Sequence, residues 1–258
     1  MKKLIAAVLV AVLLTSGLVG GCGSILKGSG DLETKQFDFS DFTKVDISSA
    51  FKFEVIKSDS YDISITADDN LFEHILVFKE GDTLKIGLKT ISIRWPATLK
   101  AKVAMPQLRG VELSGATRGT VYGFSSTENL DIEVSGASSL DLVDISAGDT
   151  KFDVSGASKV TGNITAGDAD FDLSGASTIQ LEGSASDILV DADGASRVKL
   201  TGFTVNNADV NLGGASTGTV NLSGKLDADL SGASKLSYIG EPTMGDINTS
   251  GASTLSKR

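Results

Sequence analysis

The chain of 258 residues contains a single cysteine, a single histidine, a single tryptophan and three prolines. One thiol cannot form a disulfide within the chain, so the fold must be held by burial and hydrogen bonding alone. The lone histidine, His74, lies close to Phe72 and Leu76 with no serine or cysteine motif beside it, which fits packing or surface exposure better than catalysis. Trp95, followed by Pro96, could offer a platform for a sugar ring, but a single aromatic in a strand-rich stretch fits a core position better. Aromatics make up only 6 % of the chain, and the few prolines stand against 29 glycines. That balance excludes a Pro-rich linker protein and points to tight turns between short strands, an all-β class. Positive charge is also short: 23 Lys and Arg against 33 Asp and Glu give a net charge of −10. Such a surface opposes nucleic acid and anionic lipid as partners.

There is one long apolar run, Leu4 to Leu14, preceded by Lys2 and Lys3 and followed by Gly20 and Gly21, the layout of an export signal. Val19-Gly20-Gly21-Cys22 resembles the lipobox of bacterial lipoproteins, with Val and Gly in place of the commoner Leu and Ala. This resemblance implies cleavage after residue 21 and lipidation of the Cys22 thiol. Two acyl chains bury enough methylenes, at about 0.8 kcal/mol each, to anchor stably where a single chain would not. An uncleaved transmembrane anchor is the competing reading, but the run falls short of the ~20 residues a span needs and ends in glycines. Residues 1–21 are therefore assigned to a signal peptide, 22–30 to a lipidated tether and 31–258 to one domain. Gly23 after the anchor, by likeness to lipoprotein sorting rules, favours the outer membrane of a two-membrane host, or otherwise the outer face of the plasma membrane.

From residue 111 onward the chain repeats. Ser-Gly-Ala-Ser or a near variant recurs with its glycine at 115, 136, 156, 175, 194, 214, 232 and 251, a step of 18 to 21 residues. A constant period of this size without helical periodicity inside it marks a β-solenoid with one coil per repeat. Aligned on the glycine, the columns have uniform character. Four positions before it stand Val111, Ile132, Phe152 and their equivalents; two positions before it stand Leu113, Val134, Val154 and theirs. This alternation predicts a strand with one buried face. Alanine follows the glycine in all eight coils, which suggests a crowded inner corner. A second strand should begin three residues after the alanine, at Leu140, Val160, Ile179, Val198, Leu236 and Leu255, with Gly119 and Gly218 as exceptions. Gly148, Gly167, Ser186, Asn206 and Gly224 mark a further corner, where glycine suits positive φ. Residues 31–110 lack the period, although Val45 to Ala50 repeats the strand-and-corner template. They are read as irregular coils or a cap, with strands at 51–56, 61–66, 83–88 and 99–104 and a helical turn near 69–75.

Two outward columns carry chemistry. Between the buried positions of the first strand runs a carboxylate ladder, Glu112, Glu133, Asp153, Asp172, Asp191, Asn211, Asp229 and Asn248, with Asp131, Asp170, Asp209, Asp227 and Asp246 on the same face. Unit charges one strand apart repel by about 1 kcal/mol even in water, so solvent screening, protonation or cations must relieve them. Calcium, a hard cation, is the candidate cofactor, with Asp153, Asp172, Asp191 and Asp229 as ligands. A solvated acidic face is the plainer reading, because no coil has the looped spacing of a dedicated calcium motif. On the next strand Arg118, Ser139, Lys159, Thr178, Arg197, Thr217, Lys235 and Thr254 alternate cation with hydroxyl. Like charges then sit about 9.6 Å apart, near the screening length at physiological salt, which reads as charge management more readily than as an anionic-glycan track.

Gly28-Ser29-Gly30, Phe42 to Ile47, Tyr61 to Leu71 with its Ala67-Asp68-Asp69-Asn70, Gly81 to Ile86 and the repeated Ser-Gly-Ala-Ser resemble the head-GIN domain family of autotransporter adhesins, a domain of unknown function. Ser49 stands where that family often has glycine. The resemblance covers nearly all of the chain after the signal and implies a right-handed parallel β-helix in exported bacterial proteins; it carries no functional residues with it. The expected role is a non-enzymatic envelope module, adhesin-like or structural, whose partners are the membrane through its lipid and an envelope protein or glycan, with no nucleic acid. The rival is a polysaccharide-active enzyme using Asp153, Asp172 and Asp191; a third, an envelope-stress sensor, fits the anchor but has no supporting residue.

Overall fold

The computed structural model describes residues 25–89, 92–94 and 96–258. The expected signal peptide, Cys22 and Trp95 lie outside these residues. Among the described residues no helix is long and apolar enough to cross a membrane.

The chain forms a parallel β-solenoid with two long sheets, one of 11 strands and one of 12. Each regular coil contributes one strand to each. In the coil containing Gly156, Thr150–Val154 lies in the 11-stranded sheet, Ser155 to Ser158 turn the corner, and Lys159–Thr165 lies in the 12-stranded sheet. From Val111 to Ala228 the repeat columns stack without slippage across the first sheet: Ile132 pairs with Phe152, Phe152 with Phe171, Phe171 with Val190 and Val190 with Val210, and a register shift appears only in the last strand pair, between Leu226 and Ala228. In-register stacking is what makes a column of like side chains continuous, and the buried columns fuse into one core. Within it the Phe152 and Phe171 rings stack at 4.9 Å, and Phe203 meets Phe171 edge-on at 6.2 Å. Such pairs add roughly 0.5–1.5 kcal/mol beyond their buried area.

The corner differs from the expectation in one respect. The alanines do align, Ala157, Ala176 and Ala195 each donating a backbone bond to the glycine carbonyl one coil earlier, but their side chains are exposed. The buried member is the next residue, Thr117, Ser138, Ser158, Ser177, Ser196, Ser216 or Ser234, each at most 2 % exposed. The glycine explains the inversion. At φ near +75° Gly156 and Gly175 turn the chain so that alanine rides the outer crest and the hydroxyl residue swings under it. Small size alone could not distinguish the two columns.

The second corner also corrects the sequence reading. Gly148, Gly167 and Gly224 have no positive φ. They are there for room: a Cβ on Gly167 would lie 2.5 Å from Asp149 Oδ1, and one on Gly224 2.5 Å from Asn207 Oδ1. The exceptions in the second-strand column are likewise steric. A Cβ on Gly119 would meet the Phe53 ring at 2.4 Å, and one on Gly218 would press on Leu236 and Leu212.

Residues 31–110 form a cap with a non-sequential order. Lys44–Ile47 and Lys52–Lys57 make one coil. The next regular coil stacks on one side of it, while the later strands Thr83–Leu88 and Leu99–Met105 slot in parallel on the other. Antiparallel strands then close both sheets, Ile75–Glu80 on the first and Asp62–Asp68 followed by Leu32–Phe37 on the second. Switching to antiparallel strands ends the solenoid without an open parallel edge. The expected helical turn is a short 3-10 helix, Asp69–His74. Asp68, 3 % exposed, ties the cap together: its carboxylate accepts from Gly30 N–H at 2.7 Å and Thr98 N–H at 2.6 Å. A Cβ on Gly28 would strike that carboxylate at 2.6 Å, and Gly30 has φ +92°, so the two glycines of the Gly-Ser-Gly stretch serve room and backbone turn respectively.

Candidate functional site: two sheet faces of opposite charge

The outer face of the 11-stranded sheet carries the expected carboxylate ladder. Glu112 pairs in register with Glu133, Glu133 with Asp153, Asp153 with Asp172 and Asp172 with Asp191; Asn211 separates Asp191 from Asp229. The structure therefore brings Asp153, Asp172 and Asp191 onto consecutive rungs, about 4.8 Å apart, and places Asp229 two rungs further on. The ladder extends into the cap through Asp46, which pairs with Glu112 and, on its other side, with Lys85. Burial pushes the Asp46 carboxyl above the usual carboxylate range although Lys85 pulls it back. Burial, then the charges of Asp46 and Glu133, push Glu112 up as well. These ladder members beyond the repeats were missed because the cap breaks the period.

Two of the carboxylates beside this ladder are paired. Lys44 lies 3.6 Å from Asp131, and Lys225 2.8 Å from Asp227. The hydrogen bond from Lys225 and one from the Asp246 backbone hold the Asp227 carboxyl low. At the second corner runs a row the sequence reading did not see. Asn129, Asp149, Asp168, Asp187 and Asn207 each accept, through one side-chain oxygen, the backbone N–H of the equivalent residue or its neighbour one coil on, at 2.8–3.2 Å. These side chains are structural rungs, and Gly148, Gly167 and Gly224, each one coil later, leave the space for Asn129, Asp149 and Asn207. Between this row and the sheet lies an open groove of about 440 Å³ floored by Thr150, Ala169 and Ile188 and walled by aspartates. Among the described residues no three or more Asp, Glu, His or Cys side chains converge in a geometry able to hold a metal ion. His74 is partly buried beside Glu73 at 3.2 Å, apart from both faces' ladders.

The opposite, 12-stranded sheet is basic. Arg118, Ser139, Lys159, Thr178, Arg197, Thr217, Lys235 and Thr254 pair successively in register, as the repeat requires. The row continues into the cap: Lys52 pairs with Arg118, Lys100 with Lys52 and Thr66 with Lys100. Lys102 and Lys199 stand in the adjacent outward column. All eight cations are exposed, and none is in an ion pair among the described residues, whereas on the acidic sheet Lys44, Lys85 and Lys225 all are. Glu54, Asp141, Asp144 and Glu182 are acids interspersed on this face, with Glu33 and Asp62 on the outer strands of the cap.

A family model described as "Putative auto-transporter adhesin, head GIN domain" matches residues 41–242. Among curated proteins no sequence matches. The chain superposes on a putative adhesin from Parabacteroides merdae ATCC 43184 with TM-score 0.83 and 20 % identity, covering 90 % of this chain and 98 % of the other. It superposes on a putative adhesin from Parabacteroides distasonis ATCC 8503 with TM-score 0.84 and 20 % identity, covering 90 % and 99 %. A protein of that organism described as a putative lipid binding protein gives TM-score 0.75 at 20 % identity, covering 90 % and 99 %. At such identity the likeness is one of fold.

Proposed function

The chain belongs to the head GIN domain family, and from that premise we propose that it is a non-enzymatic binding module of the bacterial cell envelope, held at a membrane by lipid on Cys22. The observation that carries this reading is the uniformity of the coils. Every regular coil spends its residues on two strands and two tight corners, so the molecule offers broad ladder-like faces and no loop-walled cleft among the described residues. Acid-base chemistry needs two groups whose environments separate their pKa values. Asp153, Asp172 and Asp191 instead stand on equivalent rungs of one exposed face, each flanked by the next. A repeated face recognises an extended partner by summing weak equivalent contacts.

The anchor is tested by growing cells on labelled palmitate and comparing the protein with Cys22→Ala. Label in the first, none in the second, and release of the variant from the membrane fraction are expected; an unlabelled parent protein would remove the tether. Screening glycan hydrolysis with Asp172→Asn as control checks the other half of the reading. Turnover lost in that variant would replace a binding module with an enzyme.

A further inference from the structure

We propose that the basic sheet is a binding track for a linear anionic polysaccharide carrying one carboxylate or sulfate per disaccharide. This rests on the reading of the protein as an envelope binding module and names the ligand class of one face. Four arguments converge on it.

First, the charge is segregated. The two sheets are opposite walls of one solenoid, and the acids that give the chain its net charge of −10 are concentrated on the other wall and its corner. At physiological salt the screening length is about 8 Å, so an anion lying on the basic sheet does not feel the carboxylates on the far side of the core. Second, these cations are unsatisfied. Lys44, Lys85 and Lys225 on the acidic sheet each have a carboxylate within 4 Å, yet Arg118, Lys159, Arg197 and Lys235 have no ion-pair partner among the described residues. Third, the spacing is a ruler. Cations occupy every second rung, about 9.6 Å apart, which is close to the length of one disaccharide in an extended chain of pyranose rings. The intervening rungs carry Ser139, Thr178 and Thr217, hydroxyls suited to ring oxygens and sugar hydroxyls between charges. Fourth, the track has a strong end. Lys100, Lys52 and Arg118 stand on three consecutive rungs, where like charges repel until an anion joins them. Lys100 and Lys52 border a groove of about 370 Å³ together with Lys102, Ser64 and Thr66, with Glu54 the one acid on its lining. Tyr122, 38 % exposed and outward on the strand of Arg118, adds a ring face for a sugar.

The test measures affinity of the full-length protein, purified in mild detergent, for hyaluronan oligosaccharides, with dextran as neutral polymer and polyglutamate as an anionic polymer of closer charge spacing. Binding of hyaluronan, weakened by salt and stronger than that of polyglutamate, is expected, with no binding of dextran. The combined substitutions Lys52→Thr, Lys159→Thr and Arg197→Thr place on three rungs a residue the column already uses, so folding should be kept. They should weaken hyaluronan binding at least tenfold, whereas Lys151→Thr on the acidic sheet should leave it unchanged. Equal binding of polyglutamate, or a triple variant with parental affinity, overturns the proposal. So does salt-sensitive self-association that the triple variant abolishes, which would give the basic face to the acidic face of a second copy. The binding-module reading survives each of these and falls only with the anchor and turnover experiments above.

Discussion

At the residue scale, the serines beneath the corner make the sharpest contrast. Ser196 Oγ donates to the Asp193 carbonyl at 2.7 Å, closing its own turn, whereas the hydroxyls of Ser138, Ser216 and Ser234 are buried without a partner. Removing a bonded hydroxyl strands its acceptor, but removing an orphan relieves a desolvation cost of about 1–3 kcal/mol. Ser196→Ala should therefore lower stability by about 1 kcal/mol and Ser216→Ala should raise it, both read by urea denaturation; equal destabilisation by the two would show that these hydroxyls share one role. Gly175 sits at the opposite extreme. It has φ +74°, and a Cβ there would lie 2.6 Å from the Gly156 carbonyl oxygen. Left-handed backbone alone costs a residue with a Cβ about 1–2 kcal/mol, so Gly175→Val, which adds a backbone collision, should lose well over 2 kcal/mol in the same assay. Parental stability in that variant would show that the corners do not stack as described.

The ladder's pH behaviour also belongs to single residues. Glu112 and Asp46 have carboxyls raised above their ordinary values, chiefly by burial. The folded protein then holds their protons more tightly than the unfolded chain does. Stability from these groups is complete below the ordinary values and is lost as pH rises through the raised ones. Glu112→Gln should remove that loss and raise stability at neutral pH, by less than about 1 kcal/mol because the site is partly solvated. A variant less stable than the parent at pH 7 and equal to it at pH 4 would reverse the assignment.

At the scale of elements, the repeat was legible because stacking in register forces each column to keep one chemical character. The strand alternation, the positions of both corners and the two charged rows could all be read from columns such as Val134, Val154, Leu173 and Ala192. What could not be read is where uniformity gives no direction. Alanine follows the glycine in every coil and the next residue is serine in all but the first, where it is Thr117; both columns are small, so only the backbone turn decides that Ser177 is buried and Ala176 exposed. The cap was legible as strands but not as pairing. The slot taken by Thr83–Leu88 and Leu99–Met105 beneath an earlier coil depends on contacts between distant segments that leave no period. For the same reason Lys52 and Lys100, which complete the basic row, could not be joined to it from spacing. The corner row was hidden in plain composition: aspartate and asparagine after a small or polar residue suggest a turn, and only stacking shows that each one caps the next coil. Asp187 illustrates it, its Oδ1 accepting from both the backbone and the side chain of Asn207 at 3.0 and 2.9 Å. Losing that rung by Asp187→Ala should cost about 1–2 kcal/mol and raise amide exchange at Asn207 before other sites. Unchanged exchange there would mean the row is decorative.

For the whole molecule, the two faces have different fates. The acidic ladder repels itself and is relieved by solvent and salt, which predicts that calcium and magnesium at equal ionic strength raise the melting temperature alike. A rise specific to calcium would mark a dedicated site on the rungs of Asp153, Asp172, Asp191 and Asp229, since preferential binding to the folded state must stabilise it. The basic face is kept apart from these acids by the thickness of the core, as its proposed use as a polysaccharide track requires. Both fates, and the segregation of charge itself, depend on coils stacking rung on rung.

That stacking can be measured by paired cysteines in a Cys22→Ala background, which leaves no other thiol in the chain. Asp153 and Asp172 are register partners on adjacent strands of one sheet, at about the 4.8 Å strand spacing and within the range of Cα separations a disulfide spans. Asp153→Cys with Asp172→Cys should oxidise to an intramolecular disulfide, while Asp153→Cys with Thr178→Cys, placed on opposite sheets, should stay reduced under the same conditions. Cross-linking of the second pair in place of the first would contradict the arrangement on which both charged faces rest.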